Sequence, residues 1–272
     1  MTITLNRKLA RRTKPQTFEP QVYAIWGPHG SPGKSTIALN LAFELSQTKR
    51  TLLVDLDLEA PSQALLLGLT EPAPGITAVA RLIRQGRLTS EELHRLSIQI
   101  KHKNSQLRLL PGLSSPNRWN EVTEETVFQL LRIAKLDFEC ILLDLSSSLE
   151  ENLTSTNSPT TRNGATRAAL SQATQVVTVI KNSKVSLQNY ANQFIELQNL
   201  NKTRRLIINM AENDKLPIVI KQLTNETITQ KIPSDEPSLS LAESQGLPLA
   251  ITRRKSPARI AILNLTHRLL EC

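Results

Sequence analysis

The sequence predicts an α/β fold in which a single doubly wound, mostly parallel sheet is flanked by helices. From residue 21 onward, short apolar runs alternate with segments of helical periodicity. Several of these runs are continuously apolar, which is typical of parallel strands that are covered on both faces. No internal repeat and no long linker divides the sequence, so the alternation favours one domain over residues 21–272.

Predicted strands and helices follow one another closely along the chain. Strands are predicted at 22–26, 51–55, 107–110, 140–144, 175–180 and 205–210, with a weaker edge strand at 228–232. Helices are predicted at 35–45, 77–84, 123–134, 165–173, 187–197 and 238–245, and a last one at 257–270. Residues 145–163 are rich in Ser, Thr and Asn and exceed an ordinary connection in length, which predicts a mobile switch segment.

Composition excludes several classes of protein. The 272 residues include 33 Lys+Arg and 24 Asp+Glu, a formal charge of +9, and 39% are hydrophobic, which is the range of globular domains. No apolar run approaches the ~18 residues of a membrane-spanning helix, and none follows the basic N-terminal residues as in a signal peptide. The two cysteines cannot build a disulfide framework or a four-ligand zinc site by themselves, so we expect a cytoplasmic protein.

Two basic segments leave their interpretation open. Residues 1–20 are predicted to form a flexible arm with five cations, which is either a solvated tail or a weak anchor to nucleic acid or anionic lipid. A second group, Arg253, Arg254, Lys255 and Arg259, precedes or begins the last predicted helix. This helix either packs on the core with a solvated basic rim, or contacts nucleic acid; contact with a membrane surface is the less favoured interpretation.

The most informative segment is a Gly-rich turn between a predicted strand and a predicted helix. It reads Gly27-Pro28-His29-Gly30-Ser31-Pro32-Gly33-Lys34-Ser35-Thr36. In such a turn the backbone amides and the helix N-terminus favour a bound phosphate. The lysine then reaches the β- and γ-phosphates and the next hydroxyl coordinates Mg²⁺, which are the places of Lys34 and Ser35. The strict pattern requires glycine six positions before the lysine, where Pro28 stands.

Three carboxylates end predicted strands at the same edge of the sheet as this turn. Asp55 and Asp57 close one strand, and Asp144 closes another. Because the carboxyl ends of parallel strands meet at one edge, we expect these side chains to converge on the turn. A carboxylate there can hold the water of a magnesium ion or orient an attacking water.

On these residues the chain resembles the ParA/MinD family of deviant Walker ATPases, and within it the divergent TadZ/CpaE-like and actinobacterial MinD-like members. The resemblance covers about residues 22–270 and implies a P-loop NTPase of the SIMIBI class. The turn resembles the family's K-G-G-x-G-K-[ST]-T loop at Gly30, Gly33, Lys34, Ser35 and Thr36.

The resemblance also implies roles for single residues. Asp55 and Asp57 match the switch I motif D-x-D, whose second aspartate positions the hydrolytic water, and Asp144 matches the switch II aspartate. Asn209 matches an asparagine that recognises adenine, and residues 232–235 match a second adenine-side segment. The expected catalytic residues are Lys34, Asp57 and Asp144; the nucleotide-binding residues Gly30, Ser31, Gly33, Lys34, Ser35, Thr36, Asn209, Pro233 and Asp235; the magnesium-binding residues Ser35 and Asp55, the latter through phosphate or water.

The chain departs from the family pattern at three places. His29 replaces the signature lysine that crosses the dimer, and an imidazole is a poor substitute for a permanent cation. Ser31 replaces a signature glycine, and Pro32 supplies no amide to the phosphate. Switch II reads Asp144-Leu145-Ser146-Ser147-Ser148 and lacks the usual proline and glycine. We expect nucleotide binding to tolerate these changes better than fast hydrolysis does.

The function implied by the resemblance is an ATPase that uses ATP and Mg²⁺, forms a homodimer in the ATP state and positions a cellular assembly. Such an assembly is a division site, a chromosome region or a pilus machine. The alternative is a nucleotide-binding pseudo-ATPase, a scaffold that recruits protein partners without turnover. Protein partners are expected in both cases, nonspecific DNA is a further candidate, and peripheral membrane contact is the weaker one.

Overall fold

One eight-stranded sheet organises the part of the chain that the structure describes, a computed structural model covering residues 18–30, 32–70, 75–150, 161–200, 202–212 and 216–271. The strands are β1 Gln21–Trp26, β2 Thr51–Leu56, β3 Ile98–Gln99, β4 Leu107–Leu110, β5 Cys140–Leu145, β6 Gln175–Lys181, β7 Thr203–Ala211 and β8 Ile228–Pro233. Their order is β3-β4-β2-β5-β1-β6-β7-β8. Only the β3–β4 pair is antiparallel among these strands, so the predicted mostly parallel sheet is confirmed.

Helices connect the strands and cover both faces. They are α1 Lys34–Leu45, α2 Gln63–Leu66, α3 Ile76–Arg84, α4 Ser90–Leu96, α5 Glu124–Ala134, α6 Gly164–Gln172, α7 Lys184–Asn199, α8 Leu216–Thr224, α9 Glu236–Gln245, α10 Leu249–Thr252 and α11 Pro257–Leu270, with a 3₁₀ helix at Pro116–Glu121. Every predicted helix is present within three residues of its predicted ends. The sequence prediction missed β3, α2, α4, α8, α10 and the 3₁₀ helix.

Some predictions fall on residues that the structure does not describe. These are Ser31 of the turn, the basic arm except for residues 18–20, and the central part of the switch segment 145–163. No described helix combines the length and the apolar character needed to cross a bilayer.

Side chains of each central strand alternate between two hydrophobic cores, one on each face of the sheet. In β1, Val22 and Trp26 enter the core formed with α3 to α8, whereas Tyr23 and Ile25 enter the core formed with α1, α9, α10 and α11. Both sets are fully buried. This double coverage is the physical reason for the continuously apolar strand sequences.

An ion pair joins α11 to α1 on the second face. Arg259 Nε donates to Glu44 Oε1 at 2.7 Å and a terminal guanidinium nitrogen donates to Glu44 Oε2 at 3.2 Å. The Glu44 side chain is 4% exposed and that of Arg259 19%. Arg259 therefore has a structural role, since it joins α11 to α1. The cations of this segment that are exposed are Arg253, Arg254 and Lys255.

The edge strand β8 is closed by side chains. The Arg268 guanidinium from α11 donates to the Thr229 carbonyl, and Gln230 Nε2 donates to the Lys231 carbonyl at 2.9 Å. Pro233 ends the strand, and proline offers no N–H to a further strand. At the other edge, β3 has only two residues.

The buried pair predicts a specific loss of stability. Replacing Arg259 by alanine leaves the Glu44 carboxylate buried without its cation, which should cost about 3 kcal/mol of the free energy of unfolding. The exposed neighbour Arg254 provides the matched control, since Arg254→Ala should cost less than about 0.5 kcal/mol. Urea unfolding of the two variants measures both values, and equal losses would contradict the structural role of the Glu44–Arg259 pair.

Candidate functional site

The Gly-rich turn joins β1 to α1 at the carboxyl edge of the sheet. Gly27 lies so close to β6 that a Cβ atom there would stand 2.3 Å from the Val179 carbonyl oxygen. Gly33 has φ +81° at the start of α1, and a Cβ atom on it would stand 2.4 Å from Asn209 Nδ2. Both positions therefore require glycine, for a close backbone approach and for a left-handed conformation.

Asn209 supports this turn from β7. Its Nδ2 donates to the Pro32 carbonyl at 2.8 Å, and the residue is 7% exposed. The turn is thus fixed to a neighbouring strand just before α1 begins. The role in adenine recognition that the resemblance implies for Asn209 stays a prediction.

Lys34, the first residue of α1, meets one of the predicted carboxylates. Its Nζ lies 3.0 Å from Asp57 Oδ2, and both side chains are less than 10% exposed. The other carboxylate oxygen, Asp57 Oδ1, accepts hydrogen bonds from the backbone N–H groups of Glu59 and Ala60 and from Ser146 Oγ. Every oxygen of Asp57 is engaged in this arrangement.

Asp55 is buried behind Asp57 and organises the chain that follows β2. Its Oδ1 accepts from the Asp57 N–H at 3.2 Å, and its Oδ2 accepts from the N–H groups of Ser62 and Gln63 at 2.9 and 3.0 Å. Burial, together with the charge of Asp144, raises the pKa of Asp55 to about 8. The hydrogen bonds from the backbone oppose this shift without cancelling it.

Asp144 lies directly opposite Asp55, because β2 and β5 pair in register. Gln63 Nε2 donates to Asp144 Oδ2 at 2.7 Å and to the Ser35 carbonyl at 3.0 Å. Burial raises the pKa of Asp144, and the charge of Lys34 acts against the rise. The second oxygen, Asp144 Oδ1, is buried and has no hydrogen-bond partner among the described residues.

Charge in this cluster is unbalanced. Burial alone would lower the pKa of Lys34, but the charges of Asp144 and Asp57 raise it above its ordinary value. One ammonium group thus faces three carboxylates, those of Asp55, Asp57 and Asp144. A low-dielectric site with excess negative charge binds protons or cations.

The other predicted site residues lie around this cluster or beyond it. Ser35 and Thr36 continue α1 and are half-buried, whereas Gly30 and His29 are exposed, and the His29 carbonyl accepts from Asn189 of α7. Pro233 ends β8. Asp235 accepts from Ser256 Oγ and thus contacts the start of α11.

Sequence reasoning missed two residues that the structure brings into the cluster. Gln63 is fully buried and joins Asp144 to the start of α1. Ser146, 2% exposed, joins Asp57 to the end of β5. No sequence signal distinguished Gln63, the first residue of α2, whereas Ser146 was visible only as a departure from the switch II pattern.

Known structures share this fold. A ParA family ATPase from Chlorobium tepidum TLS superimposes with a TM-score of 0.76 at 19% identity, over 92% of this chain and 98% of that one. The septum site-determining protein MinD of Pyrococcus horikoshii OT3, complexed with Mg-ADP, gives 0.72 at 18% identity over 92% and 96%. The MinC:MinD complex of Aquifex aeolicus gives 0.68 at 22% identity over 93% and 96%.

Sequence comparison gives the family directly. Curated protein sequences yield no significant match. A sequence profile described as the CobQ/CobB/MinD/ParA nucleotide binding domain matches residues 23–249, which is most of the chain. With its Gly-rich turn, its strand-end carboxylates and its mostly parallel sheet, the chain belongs to the CobQ/CobB/MinD/ParA nucleotide-binding domain family.

Proposed function

We propose that this chain is an ATP-dependent switch that binds Mg·ATP at the β1–α1 turn, dimerises in that state and hydrolyses the nucleotide to position a cellular assembly. The observation that carries the proposal is the contact of Lys34 with Asp57 beside the turn, 3.0 Å between Nζ and Oδ2. It brings the lysine that would bind phosphate and the acid that would orient water to one buried place.

The contact between Lys34 and Asp57 suggests how the site would respond to ATP. The γ-phosphate would take the ammonium group of Lys34 in place of Asp57, because a multiply charged phosphate is the stronger partner. Asp57 Oδ2 would then be released to accept a hydrogen bond from the attacking water, while its Oδ1 stays fixed by backbone amides.

The described residues fit Mg²⁺ as the cofactor. Asp144 Oδ1 is buried without a partner among them, and the three acids of the cluster face one lysine, so protons or a further cation must balance their charge. Carboxylate and hydroxyl oxygens are the ligands that Mg²⁺ prefers. Among the described residues these acids do not form a complete metal site, so phosphate oxygens and water would complete it, with Ser35 bound directly and Asp55 through water or phosphate. Bound Mg²⁺ would neutralise charge that develops on the phosphates.

Two further observations bear on nucleotide binding and on turnover. MinD of P. horikoshii, which shares this fold, is complexed with Mg-ADP, and this supports nucleotide binding here. His29 stands exposed where the deviant Walker pattern has its second lysine. Because of this departure, the pseudo-ATPase scaffold stays the second candidate function.

For partners we propose a second copy of the chain in the ATP state and a further protein. The A. aeolicus MinC:MinD complex is an example of a protein partner on this fold. Nonspecific DNA stays a weaker candidate, because Arg259 is paired with Glu44 and only Arg253, Arg254 and Lys255 of that segment are exposed. Division sites, chromosome regions and pilus machines are the assemblies that the proposal includes.

Binding of phosphate by Lys34 can be tested directly. Lys34→Ala should weaken Mg·ATP binding by about 10- to 100-fold, the equivalent of a lost charge-assisted hydrogen bond. Lys255→Ala removes an exposed lysine outside the turn and should leave the affinity unchanged. Titration calorimetry gives both constants, and equal affinities for the wild type and Lys34→Ala would exclude the phosphate-binding role.

Asp57 separates binding from hydrolysis. Asp57→Ala should keep or strengthen ATP binding, because it frees Lys34, and should lower phosphate release by at least about 100-fold. Glu59→Ala, which changes a neighbouring acid but keeps its backbone N–H, should hydrolyse like the wild type. Hydrolysis by Asp57→Ala at the wild-type rate would refute the water-positioning role; a wild type no faster than Lys34→Ala would favour the scaffold.

The raised pKa of Asp55 predicts how stability depends on pH. The folded protein binds a proton at Asp55 between about pH 4 and 8 that the unfolded chain has released, so the free energy of unfolding falls as pH rises through this window. The largest slope for one proton is about 1.4 kcal/mol per pH unit. Asp55→Asn should flatten the fall measured by urea unfolding at pH 5 and 8, and the exposed Glu243→Gln should not. Identical slopes in all three proteins would show that Asp55 titrates as in the unfolded chain.

A further inference from the structure

Ser146 lies where the two switch segments meet. Strands β2 and β5 pair in register up to Leu56 and Leu145, so the next residues of the two strands, Asp57 and Ser146, leave the sheet side by side. Ser146 Oγ donates to Asp57 Oδ1 at 3.2 Å and accepts from the Leu58 N–H at 2.9 Å. One buried hydroxyl therefore contacts both the carboxylate and the backbone of switch I.

The two carboxylate oxygens of Asp57 have different hydrogen-bond partners. Oδ1 accepts from Ser146 Oγ and from two backbone N–H groups, those of Glu59 and Ala60. Among the described residues, Oδ2 contacts only Lys34 Nζ. The donors on Oδ1 fix the carboxylate plane, so Oδ2 is the oxygen that points toward the proposed phosphate site.

We propose that Ser146 is a positioning residue: its hydroxyl aligns Asp57 and couples the end of β5 in switch II to the start of switch I. The proposal rests on the proposed function, since the aligned oxygen is the one that would meet the attacking water. It gives a role to Ser146, a residue of the switch II segment that lacks the usual proline and glycine of the family. A proline at this position has no side-chain hydroxyl and could make neither contact.

The chemistry of the link restricts which side chains can form it. The side chain must accept from the Leu58 N–H and donate to a carboxylate with the same atom, which a hydroxyl does and a methyl group cannot. Leu58 is 3% exposed, so losing Ser146 Oγ would leave its N–H buried without an acceptor. Because one hydroxyl contacts both residues, a shift of Ser146 together with β5 would displace Leu58 and Asp57 as well.

Three variants of the full chain test the proposal. Ser146→Ala removes the hydroxyl that contacts Asp57, and Ser146→Thr restores a hydroxyl. Ser147→Ala makes the same change one residue along, at a serine whose side chain forms no hydrogen bond with the described residues. Each protein is examined by amide hydrogen exchange without ligand, by calorimetry with Mg·ADP and by phosphate release at increasing Mg·ATP.

Ser146→Ala should raise the exchange rate of the Leu58 amide by about 10-fold and lower kcat by about 10-fold, with the affinity for Mg·ADP unchanged, because a single hydrogen bond to a charged group is lost. Ser146→Thr should regain most of the slow exchange at Leu58 and most of kcat, and Ser147→Ala should match the wild type in both measurements. A residue that only supported folding would change the affinity and kcat together and would not separate them in this way.

Other results overturn the proposal. Wild-type exchange at Leu58 in Ser146→Ala shows that the hydroxyl does not hold switch I. If Ser146→Ala exchanges the Leu58 amide faster but keeps the wild-type kcat, the Ser146 hydroxyl contacts switch I without aligning Asp57 for hydrolysis. If the wild type binds Mg·ADP but has no turnover, amide exchange at residues 58–60 is compared between the ADP complex and the complex with a non-hydrolysable ATP analogue. If Ser146→Ala shows the same difference between the two complexes as the wild type, Ser146 does not couple the two switch segments. A wild type that binds neither nucleotide refutes the proposed function, and the Leu58 amide then decides the link alone.

Discussion

Burial of charge at the carboxyl edge of the sheet is the constraint on which the rest of the site depends. Asp55, Asp57 and Asp144 are buried residues, at most 4% exposed, and Lys34 is the cation that contacts Asp57. A buried carboxylate is tolerated only where it is paired or hydrogen-bonded. The turn after β2 meets this requirement by directing its backbone N–H groups at Asp55 and Asp57. The loop after β2, the start of helix α2 and the ends of β2 and β5 thus form one group of interacting charges and hydrogen bonds.

Strand register determines which groups of this unit meet. Because β2 and β5 are parallel and in register, Asp55 faces Asp144, and Ser146 follows beside Asp57. A shift of one residue would send these side chains to the opposite faces of the sheet. The hydrophobic residues between them prevent this, since both faces of β2 and β5 are buried. Packing of the two cores thus positions the polar groups that lie at the strand ends.

The sequence predicted those parts of the protein that local pattern determines. The strands of continuous apolar character were found because burial on both faces leaves that signature, and the turn was found because its glycines, Lys34 and Ser35 occur at fixed spacing. Helix α4 had readable signals in its Thr89 cap and the acids of its first turn, and was missed all the same. The contacts of Gln63 and Ser146 could not be predicted, because they depend on which strands are neighbours. The pairing of Arg259 with Glu44 could not be predicted for the same reason, and Arg259 was considered only as part of a basic segment. The nucleotide-binding role of Asp235 stays a prediction beside its contact with Ser256.

The closed edges of the sheet affect how two copies of the chain can associate. A parallel sheet with a bare edge strand invites another strand to join it, which leads to continuous sheets and to aggregation. In β8 the Thr229 carbonyl already accepts from Arg268, and Pro233 ends the strand, while β3 offers only two residues at the opposite edge. Extension of the sheet from one copy to the next is therefore disfavoured. The homodimer proposed for the ATP state would therefore have to form through other surfaces than the edges of the sheet.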